Sequence, residues 1–283
     1  MGHKKPKFTS RAYLETAPLP NHGKSYTVVS HKEVIDHTDK LLKMHGFSID
    51  KQIFRSNMNA KVAQGIYYIT SDSAQTDNEL GMMFAWTNSY DKSTRFQCGI
   101  GAHVFVCNNG LIHGDLDTFA RKHTGTANSE VSGAIATHIS KAGNTFKEII
   151  NNKNDMKIIP LSITQQSELM GRLFVEEKLL DSQQMSCVRA EIEKPSYEYG
   201  ISPDTAWMFY NHVTHAFKLT HPRNWMENQA KFHKFMTSEV LSAHGTKQHD
   251  APNPQDVDVN DLEIEETVEV SNDAADFFAD FEM

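Results

Sequence analysis

No stretch of the 283-residue chain approaches about 18 consecutive apolar residues, and the opening MGHKKPKFTSR has no apolar signal region. The chain is therefore expected to be soluble and cytoplasmic, without a membrane partner. Its three cysteines, Cys98, Cys107 and Cys187, are too scattered for a disulfide framework or a zinc ribbon. Cys98 and Cys107 sit among apolar residues and read as buried, inert thiols. H-E-x-x-H and C-x-x-C are both absent, so the 15 histidines have no metal-site signature. His212 and His215 lie three apart on an expected helix with His221 beyond it, and His103, His113 and His123 bracket a central turn. Without acidic ligands beside them, they imply no metal and no cofactor. Gly99-x-Gly101 lacks a third glycine and Gly23-Lys24-Ser25 lacks the upstream one, which argues against both nucleotide-loop motifs. No internal repeat is present.

Basic residues are missing from the end of the chain. Asp250–Met283 holds 12 acidic residues and no Lys or Arg. Subtracting those 12 from the chain's 36 acids leaves 24 against 28 bases, so a body of +4 carries an acidic tail and the whole chain is −8. Composition otherwise fits a globular protein, with 39% hydrophobic and 23% charged residues.

What is present centres on Leu80–Thr124. An apolar run, Leu80–Trp86, and a second run, Thr94–Cys107, flank Asn88-Ser89-Tyr90-Asp91-Lys92-Ser93 and read as a β-hairpin. Asn109-Gly110 marks a further turn. Val104-Phe105-Val106 is apolar on both faces, as in a central strand. Gly99 and Gly101 imply a bulge or the close approach of another backbone or a ligand.

NSYDKS, VFVCNNG and RKHT resemble the phage/plasmid-like family known as domain of unknown function 932. The matching residues are Asn88, Ser89, Asp91, Ser93, Val106, Cys107, Asn109, Arg121, His123 and Thr124. Lys92 stands where that family commonly has Gly, and Thr205–Lys218 resembles its C-terminal helix. The resemblance covers roughly residues 50–235 and implies a phage or plasmid origin, hence an infected bacterial cell, but no settled chemistry.

In chain order, residues 1–29 form a basic, partly flexible arm. Ser30-His31-Lys32-Glu33 is a capping box opening a helix that stops near Gly46. Ile53–Ile69 reads as strands, with a helical piece admitted by Met58 and Val62. After the hairpin come amphipathic helices over Ser129–Ile150 (Gly143 its weak point), Thr164–Leu179, from Ser202-Pro203-Asp204 to Pro222, and Trp225–Leu241. Lys157–Leu161 is a strand or connector. Strands segregated from helices define an α+β class: a central antiparallel sheet flanked by helices, with a disordered acidic tail. The domain is expected over residues 30–245 and the tail over 246–283.

Cations and rings interleave through the middle: Arg55, Lys61, Lys92, Arg95, Arg121, Lys122 and His123 with Tyr67, Trp86 and Tyr90. That mixture is how proteins bind single-stranded nucleic acid, cations tracking phosphates and rings stacking on bases. The same residues also serve as core rings and a solvated face. The tail tip, with Asp276, Phe277, Phe278, Asp280 and Phe281, resembles the tails of bacterial and phage single-stranded-DNA-binding proteins, although it ends Phe-Glu-Met. It is expected to compete with DNA and to recruit phage or host replication and recombination proteins. The leading expectation is thus a non-enzymatic, phage-type single-stranded-DNA-binding protein, with strand annealing and homo-oligomerisation left open. The alternative is an enzyme or anti-defence protein acting on a small molecule at the Asn88–Asn109 polar cluster, Cys107 with His103 or His123 being one nucleophile–base pairing.

Overall fold

The computed structural model describes residues 7–20, 28–114, 116–119 and 127–244. Its first long helix starts where the capping box falls. Ser30 accepts from the Glu33 amide and Glu33 reaches back to the Ser30 amide, opening α2 (His31–Met44) after the short α1 (Arg11–Glu15). Gly46, at φ +78°, turns the chain out of α2.

Seven strands among the described residues form one antiparallel sheet: β1 (Lys7–Phe8), β2 (Ser48–Ser56), β3 (Val62–Thr70), β4 (Leu80–Ser89), β5 (Phe96–Val104), β6 (Gly110–Ile112) and β7 (Asp117–Phe119). They pair in sequence order from β1 to β6, and β7 shares the outer edge of β5 with β6. The helical piece between β2 and β3 is one 3-10 turn, Met58–Ala60. The expected hairpin is β4–β5. Its turn is held by Asp91, whose Oδ1 accepts from the Ser93 amide at 2.9 Å, and by Ser89, whose hydroxyl donates to the Thr94 carbonyl at 2.7 Å. Lys92 sits there at φ +59°, the left-handed region that favours glycine.

Both faces of the sheet are covered. On one side Tyr67, Phe84, Trp86, Phe96, Cys98 and Ile100 enter the main core with residues of α2, α3 (Ala127–Ser140), α4 (Ala142–Ile158) and α7 (Ala206–Ala216). On the other, Ile53, Ile66, Tyr68, Met83, Ala85 and Ile112 pack under Trp225 and Met226 of α8 (Pro222–Phe235). A buried ion pair ties α4 to the loop before β4: Lys153 Nζ lies 2.7 Å from Asp77 Oδ2. The same carboxylate accepts from the Glu79 and Leu80 amides. The remaining helices are α5 (Ile163–Val175) and α6 (Ser182–Glu193).

Several local expectations change. The strand ends at Val104; Phe105 and Val106 are 50% and 46% exposed, in a turn closed by the Asn108 amide on the Val104 carbonyl. That turn places Asn108, not Asn109 or Gly110, at positive φ. Gly110 starts β6, where a Cβ would come within 2.6 Å of the Trp225 ring. The single helix over Ser129–Ile150 is two, broken at Lys141 rather than Gly143, and the second runs on to Ile158. Pro222 opens α8 at its first turn, where its missing N–H costs nothing. Helix α6 was not expected, although Asp181-x-x-Gln184 is its capping box.

Gly101 reflects backbone approach, not a bulge. Pairing with β4 runs unbroken through it, and a Cβ there would fall inside the Leu111 carbonyl of β6. Gly101→Ala is expected to cost about 2 kcal/mol or more, since a backbone carbonyl cannot rotate away. Lys92→Gly should gain about 0.5 kcal/mol, left-handed strain relieved less the entropy glycine adds to the unfolded chain. Urea unfolding of both variants measures the two shifts and their opposite signs.

Candidate functional site

The rings expected to stack on bases are core side chains. Tyr67 and Trp86 are fully buried, with Trp86 Nε1 3.4 Å from the Tyr67 hydroxyl. Tyr90 stacks on His31 at a centroid distance of 3.8 Å and its hydroxyl accepts from the His31 amide. Arg55 is 2% exposed and donates through Nη2 to the Thr220 carbonyl at 3.0 Å; burial lowers its pKa to about 10. These four are therefore corrected from surface contacts to interior ones. Lys61, Lys92 and Arg95 are exposed. Arg121, Lys122 and His123, like Asp276, Phe277, Phe278, Asp280 and Phe281, lie outside the described residues.

The Asn88–Asn109 cluster does not converge either. Asn88 donates to the Val29 carbonyl at 3.0 Å and meets His31, at the end of β4 where Ser89 pairs with Val62. Asn109 donates to the Asn211 carbonyl at 3.0 Å, beyond the opposite end, where Leu80 pairs with Val104. The length of β4, roughly 30 Å at about 3.3 Å per residue, separates them. Cys107 faces the main core, and burial raises its thiol pKa. His103 stacks on Tyr68 at 3.8 Å, on the α8 side of the sheet, so this pair makes no nucleophile and base. Beside Cys107, buried Lys218 donates to its carbonyl at 3.0 Å and lies over the Tyr197 ring. The bond to the Cys107 carbonyl fastens the 3-10 turn that follows α7 to the β5–β6 turn. Among the described residues no three His, Cys, Asp or Glu side chains are placed to hold a metal ion.

An open groove lies at the other edge of the hairpin. It encloses about 810 Å³ between the β4–β5 turn (Ser93, Thr94, Arg95), the start of β5 (Gln97), the loop after β6 (His113, Gly114, Leu116) and α8. From α8 come Glu227, Ala230, Lys231 and Lys234, positions i, i+3, i+4 and i+7 of one helix face. Lys231 pairs with Glu227 at 2.6 Å. Among the described residues Arg95 and Lys234 form no ion pair. His113 reaches Glu148 at 2.8 Å and meets the edge of His233, whose ring nitrogens contact the Tyr210 hydroxyl and Asn152. Of the expected site residues that are described, only Arg95 lines this groove. Gln97, His113, Lys231 and Lys234 went unread because their shared location depends on α8 crossing the sheet.

Beneath α8 the sheet carries a polar row. Arg55 pairs with Gln64, Gln64 with Thr87, and Thr87 with Gln97, so all four point to the α8 side. Thr87 donates to Met226 Sδ at 3.4 Å. Gln229 of α8 is also buried, and Arg55 Nε, both amide atoms of Gln64 and of Gln229, and Gln97 Oε1 are without hydrogen-bond partners.

The chain belongs to the family described as "Domain of unknown function (DUF932)", whose family model matches residues 18–269. Comparison with curated proteins and with solved structures gives no match. Lys92 adopts a positive φ, which fits the Gly that the resemblance led us to expect at that position.

Burial lowers the pKa of His31, His103 and His212 to about 4 and of His233 to about 3. The folded state thus holds these rings neutral while the unfolded chain protonates them near pH 6.5. Their contribution to stability is fully present above pH 6.5 and is lost as pH falls toward 4. The urea midpoint is expected to drop steadily over that window, and His103→Phe, which keeps a ring on Tyr68, should flatten the slope. A midpoint flat from pH 7 to 4.5 contradicts this.

Proposed function

We propose that this protein binds single-stranded nucleic acid along the α8 groove, as a phage-type, non-enzymatic protein of DNA replication or recombination. The observation that carries the reading is that Arg95 and Lys234 line an 810 Å³ groove without ion partners among the described residues. Cations so placed are what a phosphate backbone requires, and releasing the strand's counterions supplies the affinity. A body of +4 is consistent with this. With the expected rings in the core, affinity here comes from phosphate contacts more than from stacking, so it falls steeply with salt.

The test is fluorescence anisotropy with a labelled oligonucleotide across a salt series. Arg95→Glu with Lys234→Glu is expected to weaken binding at least tenfold at low salt. It should also flatten the log–log slope by about 1.4, which is about 0.7 for each phosphate no longer neutralised. Unchanged affinity in the folded double variant overturns the placement. No binding at low ionic strength overturns the function.

The acidic tail, on this reading, competes with DNA for the body's cations and docks partner proteins through its phenylalanines. Removing Asp250–Met283 takes the net charge from −8 to +4, so the truncated chain is expected to bind DNA more tightly. The gain should shrink as salt screens the tail over a Debye length of about 8 Å. Replacing Phe277, Phe278 and Phe281 by Ala keeps every carboxylate and should leave DNA affinity as it was, while capture of replication proteins is lost. Equal DNA affinity with and without the tail at every salt concentration contradicts the competition.

A further inference from the structure

A side chain buried with an unpaired polar atom is costly, and burying several in one place needs a reason. The row under α8 concentrates three amides, Gln64, Gln97 and Gln229, all with orphaned atoms. One of them reaches the groove: Gln97 is 5% exposed, its Oε1 has no partner, and it lines the cavity with Arg95 and Lys234. An amide offers a donor and an acceptor side by side in one plane. That is the pattern a nucleobase edge presents in return, and the reason Gln reads bases in pairs of hydrogen bonds. Leu116 and Ala230 add apolar wall for a flat ring, and the cavity is of the size that holds a small ligand.

We propose that the floor of the groove is a base-accepting subsite: one nucleotide of the strand turns inward so that its base edge pairs with the Gln97 amide while its phosphate meets Arg95 and Lys234. This rests on the reading that the groove takes nucleic acid, and adds to it that the protein senses bases as well as charge. Every base edge carries a donor beside an acceptor, so one amide gives binding to bases with little preference among them.

The test compares octadeoxyadenylate with an abasic deoxyribose-phosphate octamer of equal charge, by calorimetric titration of the full chain at low salt. Wild type is expected to bind the base-bearing octamer at least tenfold more tightly. Gln97→Met, close in volume and free of polar atoms, should bring its affinity down to that of the abasic octamer. Its urea midpoint should be no lower than wild type, because the change removes an unpaired buried group. Ala230→Leu, on the groove-lining face of α8, narrows the subsite without touching a cation and should remove the same preference. Equal binding of the two octamers by wild type, or a base preference that survives both variants, overturns this inference and leaves the phosphate groove standing. If neither octamer binds, both fall together.

Discussion

Covering both faces of β3, β4 and β5 leaves the sheet no solvent side, and much of the remaining architecture follows from that. Every residue of β5 is buried, glutamine and histidine included. A one-faced sheet turns such residues to water; here α8 lies over them. The glycines answer the same constraint. Gly65 lies under the Trp86 ring and Gly101 under the β6 carbonyl, because layers this close leave no room for a Cβ. Within the polar row Arg55–Gln64–Thr87–Gln97, burial leaves Arg55, Gln64 and Gln97 with unpaired atoms.

The charge pair behind β4 shows how the layers are fixed. Lys153 is buried and Asp77 largely so, and Glu79 bridges Lys153 to Lys157. A buried pair contributes little net stability over an apolar alternative, yet loss of one partner leaves a buried charge uncompensated. Asp77 also holds two backbone amides of the chain entering β4. The pair therefore sets where α4 meets the sheet, which a uniformly apolar contact leaves free to slide.

Sequence alone disclosed what is local. The Ser30–Glu33 capping box, the β4–β5 hairpin and the family each have signatures within a few residues, and each is present. What it misplaced depends on which face is covered. Interleaving with cations put Tyr67 and Trp86 on a binding surface, but strand periodicity does not say whether their face meets water or α2. Cations and rings interleaved along a strand look alike in a binding surface and in a core strand whose charges sit at its ends. Arg55 shows the ambiguity, being a guanidinium that runs inward to the Thr220 carbonyl, 165 residues away in the chain. The groove was illegible for the same reason, since Gln97 and Lys234 become neighbours only through packing.

The residues that carry the family resemblance serve the scaffold. Asn88 holds the end of β4 to Val29 and His31, and Asn109 holds the turn after β5 to α7. Both bonds are buried, and each replaces water that the backbone would otherwise need. Asp91 and Ser89 then set the turn between them, and the residues that turn delivers, Ser93, Thr94 and Arg95, form one wall of the groove. The motif is thus read best as a clamp on the hairpin. Asn88, Ser89 and Asp91 spend polar atoms on the scaffold and Asn109 keeps one unpaired oxygen, while further buried atoms without partners lie at Gln97 and beneath α8. On the proposed reading the ligand sits at the groove floor, where Gln97 keeps hydrogen-bonding capacity, and not at the motif residues of the hairpin.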